Sequence, residues 1–407
     1  VSIGAYDPVS TNYAYFDAIN EMRWASDVVV DDNNIYVAGD TLLMVYDKYT
    51  YQLQNLLIIQ GIRKLALWNN NILVSRKSGA GYDSYFQVYD KDTLNLVYEL
   101  DTLNGPKYSS QGMAVYNDTC YLAVNNDFEW GNYKGLIGIV DLNGQSYAGE
   151  VDLGPDGMNP DNLMISGNKL YTLNNKDWSG SSITEFNTSD WSYQTTNLSA
   201  PSGCGSSVFA LNRVYYHRYD YDQNWVDTNK LILRFNLLDQ TIDTTLAKLS
   251  GIYGMVTDEI NSLIYVTTTD YVTYGTAYVM QYDGTVIDSF SVGVSPGNMA
   301  LDVRQITTSI NNQYSIINNQ LKVYPNPNTG EFIIEINISD IQDIEIKLFN
   351  IAGKIIFKEN LNQYSPTLSG QAGSYHKVMN LKGYAKGIYN FQVITDTGVI
   401  NKKVVLE

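Results

Sequence analysis

Histidine and cysteine, the side chains that most often perform catalysis or bind transition metals, are nearly absent from this chain. Its 407 residues include two histidines, His217 and His376, and two cysteines, Cys120 and Cys204. These four residues have no metal-ligand spacing and no disulfide framework. His217 is the one imidazole before residue 320, and no serine or cysteine nucleophile motif accompanies it. We therefore expect no enzyme, no metal site and two unpaired, buried thiols.

Aromatic and cationic side chains are more informative, because they recur in short polar segments that follow predicted strands. Flat rings beside amides and isolated cations suit a large amphipathic ligand, which needs stacking area and directional hydrogen bonds. The candidate ligand-binding residues are Arg23, Trp24, Arg63, Arg76, Tyr82, Lys107, Tyr108, Trp130, Trp178, Arg218, Trp225, Tyr253 and Tyr271. The alternative is that many of these rings only pack between strands, since the chain has 34 tyrosines.

The strands that would position these residues form a repeat. An aromatic or aliphatic residue followed by Asp or Asn ends a short strand seven times, at intervals of 43 to 51 residues after a first interval of 30. The pairs are Phe16-Asp17, Tyr46-Asp47, Tyr89-Asp90, Val140-Asp141, Phe186-Asn187, Phe235-Asn236 and Tyr282-Asp283. At this place Asp or Asn can bond the backbone of a tight turn. Four strands per repeat predict an all-β fold, a seven-bladed β-propeller over residues 1–304.

Both ends of this domain are predicted to share one blade. Residues 298–304 have no following strands, and the amino-terminal strands have no innermost partner. Together they would complete the seventh blade and leave no free sheet edge. In such a ring the loops between second and third strands share a face with the connections between blades. The candidate ligand-binding residues are therefore expected on one face.

A second, small domain is predicted after a polar linker at residues 305–320. Residues 321–407 contain short alternating strands separated by Gly, Asn and Pro turns. This pattern is typical of a small immunoglobulin-like β-sandwich. No residues in it suggest chemistry.

Charge is unevenly distributed between the two predicted domains. Residues 321–407 contain 9 Lys and 8 Asp or Glu, whereas residues 1–320 contain 17 basic and 35 acidic groups. A domain this acidic repels nucleic acid and anionic lipid at long range, so nucleic acid is not an expected partner. No apolar run approaches the roughly eighteen residues of a membrane span, so none is expected.

Three segments near the carboxyl end occur in an order that characterises a known family: "VYPNPNTGEFIIEI", "IEIKLFNIAGKIIF" and "GIYNFQVITDTGVINKKVVL". On these motifs residues 321–407 resemble the C-terminal sorting domain of the type IX secretion system of Bacteroidetes. The resemblance implies export by the Sec route, followed by recognition of residues 321–407 by the type IX translocon and its shuttle. It also implies an extracellular location or attachment at the outer-membrane surface, commonly with cleavage of the domain.

A second resemblance concerns residues 251–301, "GIYGMVTDEINSLIYVTTTDYVTYGTAYVMQYDGTVIDSFSVGVSPGNMAL". They resemble the last repeat of YncE-like surface propellers of the same bacteria, and the likeness continues more loosely over residues 27–250. The characterised branch captures cobalamin over a TonB-dependent outer-membrane transporter. The resemblance therefore implies a binding propeller with a corrinoid-like ligand, cobalamin, no cofactor, and a TonB-dependent transporter as partner.

Two other functions fit parts of the sequence. A glycan- or protein-binding adhesin would use the same aromatic loops, and "DYDQNWVD" at residues 220–227 most nearly has the composition of a glycan platform. The three aspartates of that segment lack the spacing and glycine of a calcium loop. A propeller enzyme, such as a lactonase or quinoprotein, is the least favoured because histidines are few and a repeated Trp docking motif is missing.

Overall fold

The computed structural model of this chain describes residues 1–8, 10–79, 81–198, 200–219, 231–304, 321–337, 342–350, 354–364, 374–395 and 398–407. Two compact units result, Val1–Asp302 and Val303–Glu407. The predicted linker and residues 220–227, including Trp225, lie outside the described residues. Apart from two 3-10 turns, Asn126–Phe128 and Pro155–Gly157, every regular element in the described ranges is a β-strand. The predicted all-β class is confirmed.

Six four-stranded antiparallel sheets follow one another along the first unit. Sheet I contains β3 (Asp27–Val30), β4 (Asn34–Gly39), β5 (Leu42–Asp47) and β6 (Leu53–Ile58). Sheet II contains β7 (Ile62–Trp68), β8 (Asn71–Arg76), β9 (Ser84–Asp90) and β10 (Leu96–Asp101). Sheet III contains β11 (Ser110–Tyr116), β12 (Thr119–Val124), β13 (Leu136–Asp141) and β14 (Ser146–Asp152).

The next three sheets repeat this order of strands. Sheet IV contains β15 (Pro160–Ser166), β16 (Lys169–Asn174), β17 (Ser181–Asn187) and β18 (Tyr193–Leu198). Sheet V contains β19 (Ser202–Ala210), β20 (Arg213–Arg218), β21 (Leu231–Asn236) and β22 (Thr241–Lys248). Sheet VI contains β23 (Ile252–Asp258), β24 (Leu263–Thr268), β25 (Thr276–Gln281) and β26 (Val286–Ser291). The inner strands β3, β7, β11, β15, β19 and β23 contact one another in this order, which is the arrangement of a β-propeller.

The repeated pair of an apolar residue and Asp or Asn has two separate structural roles. The apolar member is buried at the end of the third strand, as with Tyr46 and Phe186, which are fully buried. The polar member closes the following turn: Asp47 accepts hydrogen bonds from the backbone N–H of Tyr49 at 2.9 Å and of Thr50 at 2.7 Å. Equivalent bonds to backbone N–H groups are made by Asp90, Asp141, Asn187, Asn236 and Asp283. The predicted turn chemistry is confirmed at these six pairs, whereas Asp17 of the first pair accepts from the Tyr46 hydroxyl at 2.8 Å.

The seam of the ring lies between sheets VI and I. Strands β1 (Ser2–Asp7) and β2 (Asn12–Ala18) pair there as a two-stranded sheet. Tyr6 stacks on Phe290 of sheet VI at 4.2 Å between ring centroids, and Phe16 makes an edge contact with Tyr46 of sheet I at 5.9 Å. The amino-terminal hairpin therefore joins the last sheet to the first.

A closing segment, residues 297–302, crosses the same seam. The Asn298 amide donates to the backbone oxygen of Ala25 at 3.0 Å, and the Lys48 ammonium pairs with Asp302 at 3.1 Å. The described residues 298–304 include no strand. The seventh position thus holds a hairpin and an irregular segment rather than four strands, and the blade count of seven stays a prediction.

The second unit is a two-sheet β-sandwich. One sheet has the order β27 (Leu321–Tyr324), β28 (Glu331–Asn337), β31 (Ser374–Asn380). The other has the order β30 (Ile355–Tyr364), β29 (Gln342–Asn350), β32 (Gly387–Thr395), β33 (Gly398–Leu406). Alternate residues from both sheets form one core, including Phe332, Ile334, Leu348 and Phe391. This is the small sandwich that the alternating pattern predicted.

Cys120 is fully buried in β12, and burial raises the pKa of its thiol. Since only the thiolate attacks alkylating agents, we expect Cys120 to resist iodoacetamide at pH 8 in the folded chain. It should react completely in guanidinium chloride, which provides the control. Peptide mass mapping measures the modified fraction, and native labelling as fast as denatured labelling would contradict the burial. The side chain of Cys204 lies outside the described part of the structure.

Candidate functional site

One end of each sheet carries the segments that contain the candidate residues. In sheets II to VI the first residue of the inner strand pairs with the last residue of the second strand, as Ile62 does with Arg76. In sheet I, Asp27 pairs with Ala38, one residue before the end of β4. The connections between sheets and the loops between second and third strands therefore meet at the same end. We call this end the loop face.

A repeated irregularity shapes the centre of the loop face. The register of the inner strand skips just after its first residue in sheets II to VI. A bulge of this kind leaves the extra residue out of the ladder and re-aims its side chain. The bulge positions begin with Arg63, Gln111, Asp161 and Tyr253 in sheets II, III, IV and VI. Two of these four were predicted as ligand-binding residues.

Side chains of neighbouring sheets connect at these bulges. The Arg63 Nε donates to the Gln111 Oε1 at 2.8 Å, and the Gln111 amide donates to the Asp127 Oδ1 at 3.2 Å. The Arg63 guanidinium lies 3.9 Å from the same carboxylate, and the Ser78 hydroxyl donates to its other oxygen at 3.2 Å. Arg63, Gln111, Asp127 and Ser78 form the mouth network, a connected set of donors and acceptors.

Asp127 reaches the mouth network from an unusual turn. Asn126, Asp127 and Phe128 have φ values of 55°, 55° and 57°, three consecutive left-handed residues without a glycine. Each such residue costs about 1–2 kcal/mol, so the surrounding bonds must hold the turn in place. The Asn125 side chain accepts from the Asp127 N–H at 3.0 Å, and the Asn126 amide donates to Glu129 at 2.7 Å.

A second polar group lies on the loop face near the seam. The Lys64 ammonium lies 3.5 Å from Asp27 and donates to the Asn298 side-chain oxygen at 3.3 Å. The other Asp27 oxygen accepts from the Leu65 N–H at 2.8 Å. These contacts link sheets I and II to the closing segment, so this lysine and its carboxylate have a structural role.

Arg23 and Trp24 lie together on the connection that enters sheet I. The exposed Arg23 guanidinium bonds Asp40 at 3.0 and 3.2 Å, and it stacks 4.3 Å from the Trp24 ring. Burial alone would raise the pKa of Asp40. Hydrogen bonds from the Arg23 backbone N–H and guanidinium outweigh burial, and they hold the pKa of this carboxyl below its usual value.

Arg76 is used inside sheet II. Its side chain is buried and donates to the backbone oxygens of Gln60 and Ser84, both at 2.8 Å. Its guanidinium lies 4.4 Å from the Tyr82 ring. The structure thus brings Arg76 and Tyr82 together, but two of the arginine's five N–H donors bond backbone oxygens of the protein itself.

The remaining aromatic candidates fall into local pairs on the loop face. Trp130 is 84% exposed and contacts Tyr133 edge-on, at 6.0 Å between ring centroids. Trp178 lies 5.7 Å from Phe128, and Tyr253 contacts Tyr271 edge-on at 5.5 Å. The exposed rings available to a ligand are therefore spread over sheets III, IV and VI rather than gathered at one point.

Other candidates have less direct placements. Lys107 is exposed on the connection into sheet III, and the adjacent Tyr108 ring carries the Lys134 ammonium at 4.7 Å. Arg218 ends β20 and is half-buried, and Trp225 is outside the described residues.

His217 is buried, with its ring 4.0 Å from that of Tyr219. Among the described residues, no group of three His, Cys, Asp or Glu side chains could hold a metal ion.

Sequence reasoning missed Gln111, Asp127 and Asp161 at the centre of the loop face. The available signal was positional: once the repeats are aligned at the first residue of each inner strand, the next residue is the bulge position. The residues at this aligned bulge position are Arg63, Gln111, Asp161 and Tyr253. Asp127 offered no such signal, because its position depends on the left-handed turn.

The radial four-stranded sheets place the first unit in the β-propeller-like class. Residues 322–407 match the family described as the secretion system C-terminal sorting domain. This domain marks the chain as a type IX secreted protein, located extracellularly or at the cell surface. No curated protein matches the chain. None of the helical turns in the described ranges is long and apolar enough to cross a membrane.

Solved structures similar to this chain share its fold at low identity. Hydrazine synthase of Kuenenia stuttgartiensis is 12% identical, with a TM-score of 0.58 over 70% of this chain and 92% of that chain. A chain of the mitotic checkpoint complex is 11% identical, with a TM-score of 0.52 over 68% and 82%. U3-55K is 9% identical, with a TM-score of 0.50 over 68% and 84%. At these identities the likeness shows the fold alone.

Proposed function

We propose that this chain is a non-enzymatic binding protein of the cell surface that captures a large amphipathic ligand on its loop face. The observation that carries the proposal is the combination of strongly exposed rings, Trp130 and Tyr271 above all, with the mouth network. Exposed rings supply stacking area, and a preformed network supplies directional bonds at little cost in entropy. The sorting domain delivers this face to the outside of the cell.

The ligand class we propose is a corrinoid, with cobalamin as the specific candidate. The support comes from the resemblance of residues 251–301 to the cobalamin-capturing branch, together with the aromatic and amide character of the loop face. A macrocycle edged with amides would meet rings at sheets III and IV and hydrogen-bonding groups at the mouth network. Binding would require no covalent step.

The test is calorimetric titration of the full chain with cyanocobalamin, followed by the visible spectrum of the ligand. We expect saturable one-to-one binding. Trp130→Ala should weaken it about tenfold or more, since aromatic residues that become buried under a bound ligand contribute most of the binding free energy at such sites. Trp191→Ala is the matched control, because Trp191 is also exposed but lies in the turn between β17 and β18, at the opposite end of its sheet. No heat and no spectral change at tens of micromolar ligand would remove the corrinoid.

A TonB-dependent outer-membrane transporter is the partner we propose for release of the ligand. The support is again the resemblance, together with delivery of the chain to the cell surface. Crosslinking of the surface-exposed chain on intact cells should recover such a transporter, and recovery should decrease when the ligand is withheld. Equal recovery of unrelated surface proteins would argue against a dedicated partner.

An adhesin that binds glycans or proteins is the second candidate. The loop between β24 and β25 favours it, because Tyr271, Val272 and Tyr274 are all strongly exposed there. The carboxyl of Asp270 holds the tip in shape: backbone N–H and hydroxyl bonds from Thr273 lower its pKa to about 2. If cyanocobalamin fails to bind, a glycan array probed with the full chain and with Tyr271→Ala tests this alternative.

A further inference from the structure

On one side of the loop face, cations cover the faces of the aromatic rings. The Arg23 guanidinium lies 4.3 Å from the centre of the Trp24 ring. The Lys77 ammonium, which comes from the loop after β8, lies 5.7 Å from the same ring. Lys134 lies 4.7 Å from the Tyr108 ring. Together with Arg76 over Tyr82, these contacts belong to sheets I to III and their connections. We call Arg23, Arg76, Lys77, Lys107 and Lys134 the cationic sector.

Sheet IV lacks this arrangement. Trp178 contacts Phe128, and within the described residues no cation lies over the Trp178 ring. Lys176, a loop-face lysine of the same sheet, pairs with Asp156 at 3.1 Å. The cationic sector therefore does not extend onto sheet IV.

Three lysines of the cationic sector keep their charge available. Across the described chain, Lys77, Lys107 and Lys134 form no ion pair. The carboxylates near them are engaged elsewhere: Asp40 is bonded by Arg23, and Glu129 accepts from the Asn126 and Asn132 amides. An ammonium resting on a ring loses mobility and keeps its positive charge, which favours binding of an anion.

The net negative charge of residues 1–320 limits which anionic ligands these lysines can bind. Residues 1–320 carry 17 basic and 35 acidic groups, so a polyanion is repelled at long range. A ligand with one or two negative charges loses little from that repulsion and gains local contacts. The rings that remain bare beside the sector, such as Trp130, offer apolar area to the rest of the same ligand.

We propose that the cationic sector binds an anionic group of the large amphipathic ligand, with Lys77 and Lys134 as the principal contacts. The anionic group is a carboxylate, phosphate or sulfonate. This inference rests on the proposed function of the loop face and names the charge of its ligand. In this proposal Trp24 and Tyr108, which the sequence predicted as ligand-binding residues, hold the cations in place.

Two fluorescent probes with the same ring system test the charge selectivity. Anilinonaphthalene sulfonate carries one negative charge, and phenylnaphthylamine is its neutral counterpart. The full chain should bind the sulfonate at least about tenfold more tightly than the neutral probe at low salt. The double variant Lys77→Ala, Lys134→Ala should lose most of that preference while still binding the neutral probe, which also shows that the variant folds.

The matched control removes two exposed lysines of the sorting domain that form no ion pair with any described residue, Lys354→Ala and Lys386→Ala. It has the same net charge as the double variant, so its preference should stay unchanged. Equal affinity for both probes would overturn the inference and leave capture of a neutral amphipathic ligand standing. A preference that survives Lys77→Ala, Lys134→Ala places the anion elsewhere and overturns it too. Failure of both probes, and of every ligand tested above, would reject the proposed function with it.

Discussion

Replacing Phe186 with alanine should lower the free energy of unfolding of the first unit by about 3–5 kcal/mol, the usual cost of deleting a buried phenylalanine. The ring is fully buried between sheets III and IV. It contacts Tyr121 edge-on at 6.0 Å and packs with Ile137 and Ile139 of the neighbouring sheet. Removing it leaves a cavity at an interface between sheets, where rigid strands on both sides limit collapse. Urea unfolding followed by tryptophan fluorescence measures the loss.

The neighbouring residue provides the control for that experiment. Asn187 is the half-buried last residue of β17, and its side chain accepts from the Ser189 N–H at 3.0 Å and from the Asn168 amide at 3.4 Å. Asn187→Ala should therefore cost only about 1–2 kcal/mol, the net worth of one or two hydrogen bonds. If the two substitutions cost the same, the apolar member of the repeated pair does not have the inter-sheet role described here.

The repeated pair explains why much of this fold was predictable from sequence. The turns closed by Asp47 and Asn187 depend on residues within a few positions along the chain, and the burial of Tyr46 and Phe186 follows from their place in the repeat. Strand alternation is also local, because successive side chains point to opposite sides of a sheet. A local rule repeated at a steady interval predicts the sheets and their order. It does not fix how many sheets close the ring, which depends on the geometry at the seam.

The loop face was less predictable, because its contacts join residues far apart in sequence. Arg63 meets Gln111 across 48 positions, and Lys64 meets Asn298 across 234. Arg76 appeared equally available for a ligand in the sequence, yet the backbone oxygens of Gln60 and Ser84 take two of its donors. Composition identified the right types of side chain, but only the folded arrangement distinguishes a cation that a ligand can reach from one that the protein uses.

Trp24 shows the same limit for aromatic residues. Its type and its loop position predicted a stacking surface, and it is indeed partly exposed. The faces of its ring are approached by Arg23 and by Lys77, which follows β8 more than fifty residues later. Sequence can indicate that a ring lies on a surface, but what covers that ring is decided by the neighbouring sheet.

The second large prediction concerns Lys48, whose ion pair with the closing segment helps to close the ring. Its side chain is 4% exposed and pairs at 3.1 Å with Asp302 of the closing segment, whose side chain is 25% exposed. Lys48→Met keeps the apolar stem and removes the ammonium. The Asp302 carboxylate then loses its cationic partner in a site from which most water is excluded. We expect a loss of about 2 kcal/mol, below the 3–5 kcal/mol of a fully buried pair because Asp302 retains some contact with water.

The measurement is again urea unfolding of the full chain, with Lys169→Met as the matched control. Lys169 pairs with Glu185 on sheet IV, where the lysine side chain is 46% exposed, so its loss should cost no more than about 1 kcal/mol. Lys48→Met should also speed proteolysis within residues 297–304, since the closing segment would detach from sheet I. Equal stability of the two variants, with unchanged cleavage, would show that the hairpin of β1 and β2 closes the ring without help from this ion pair.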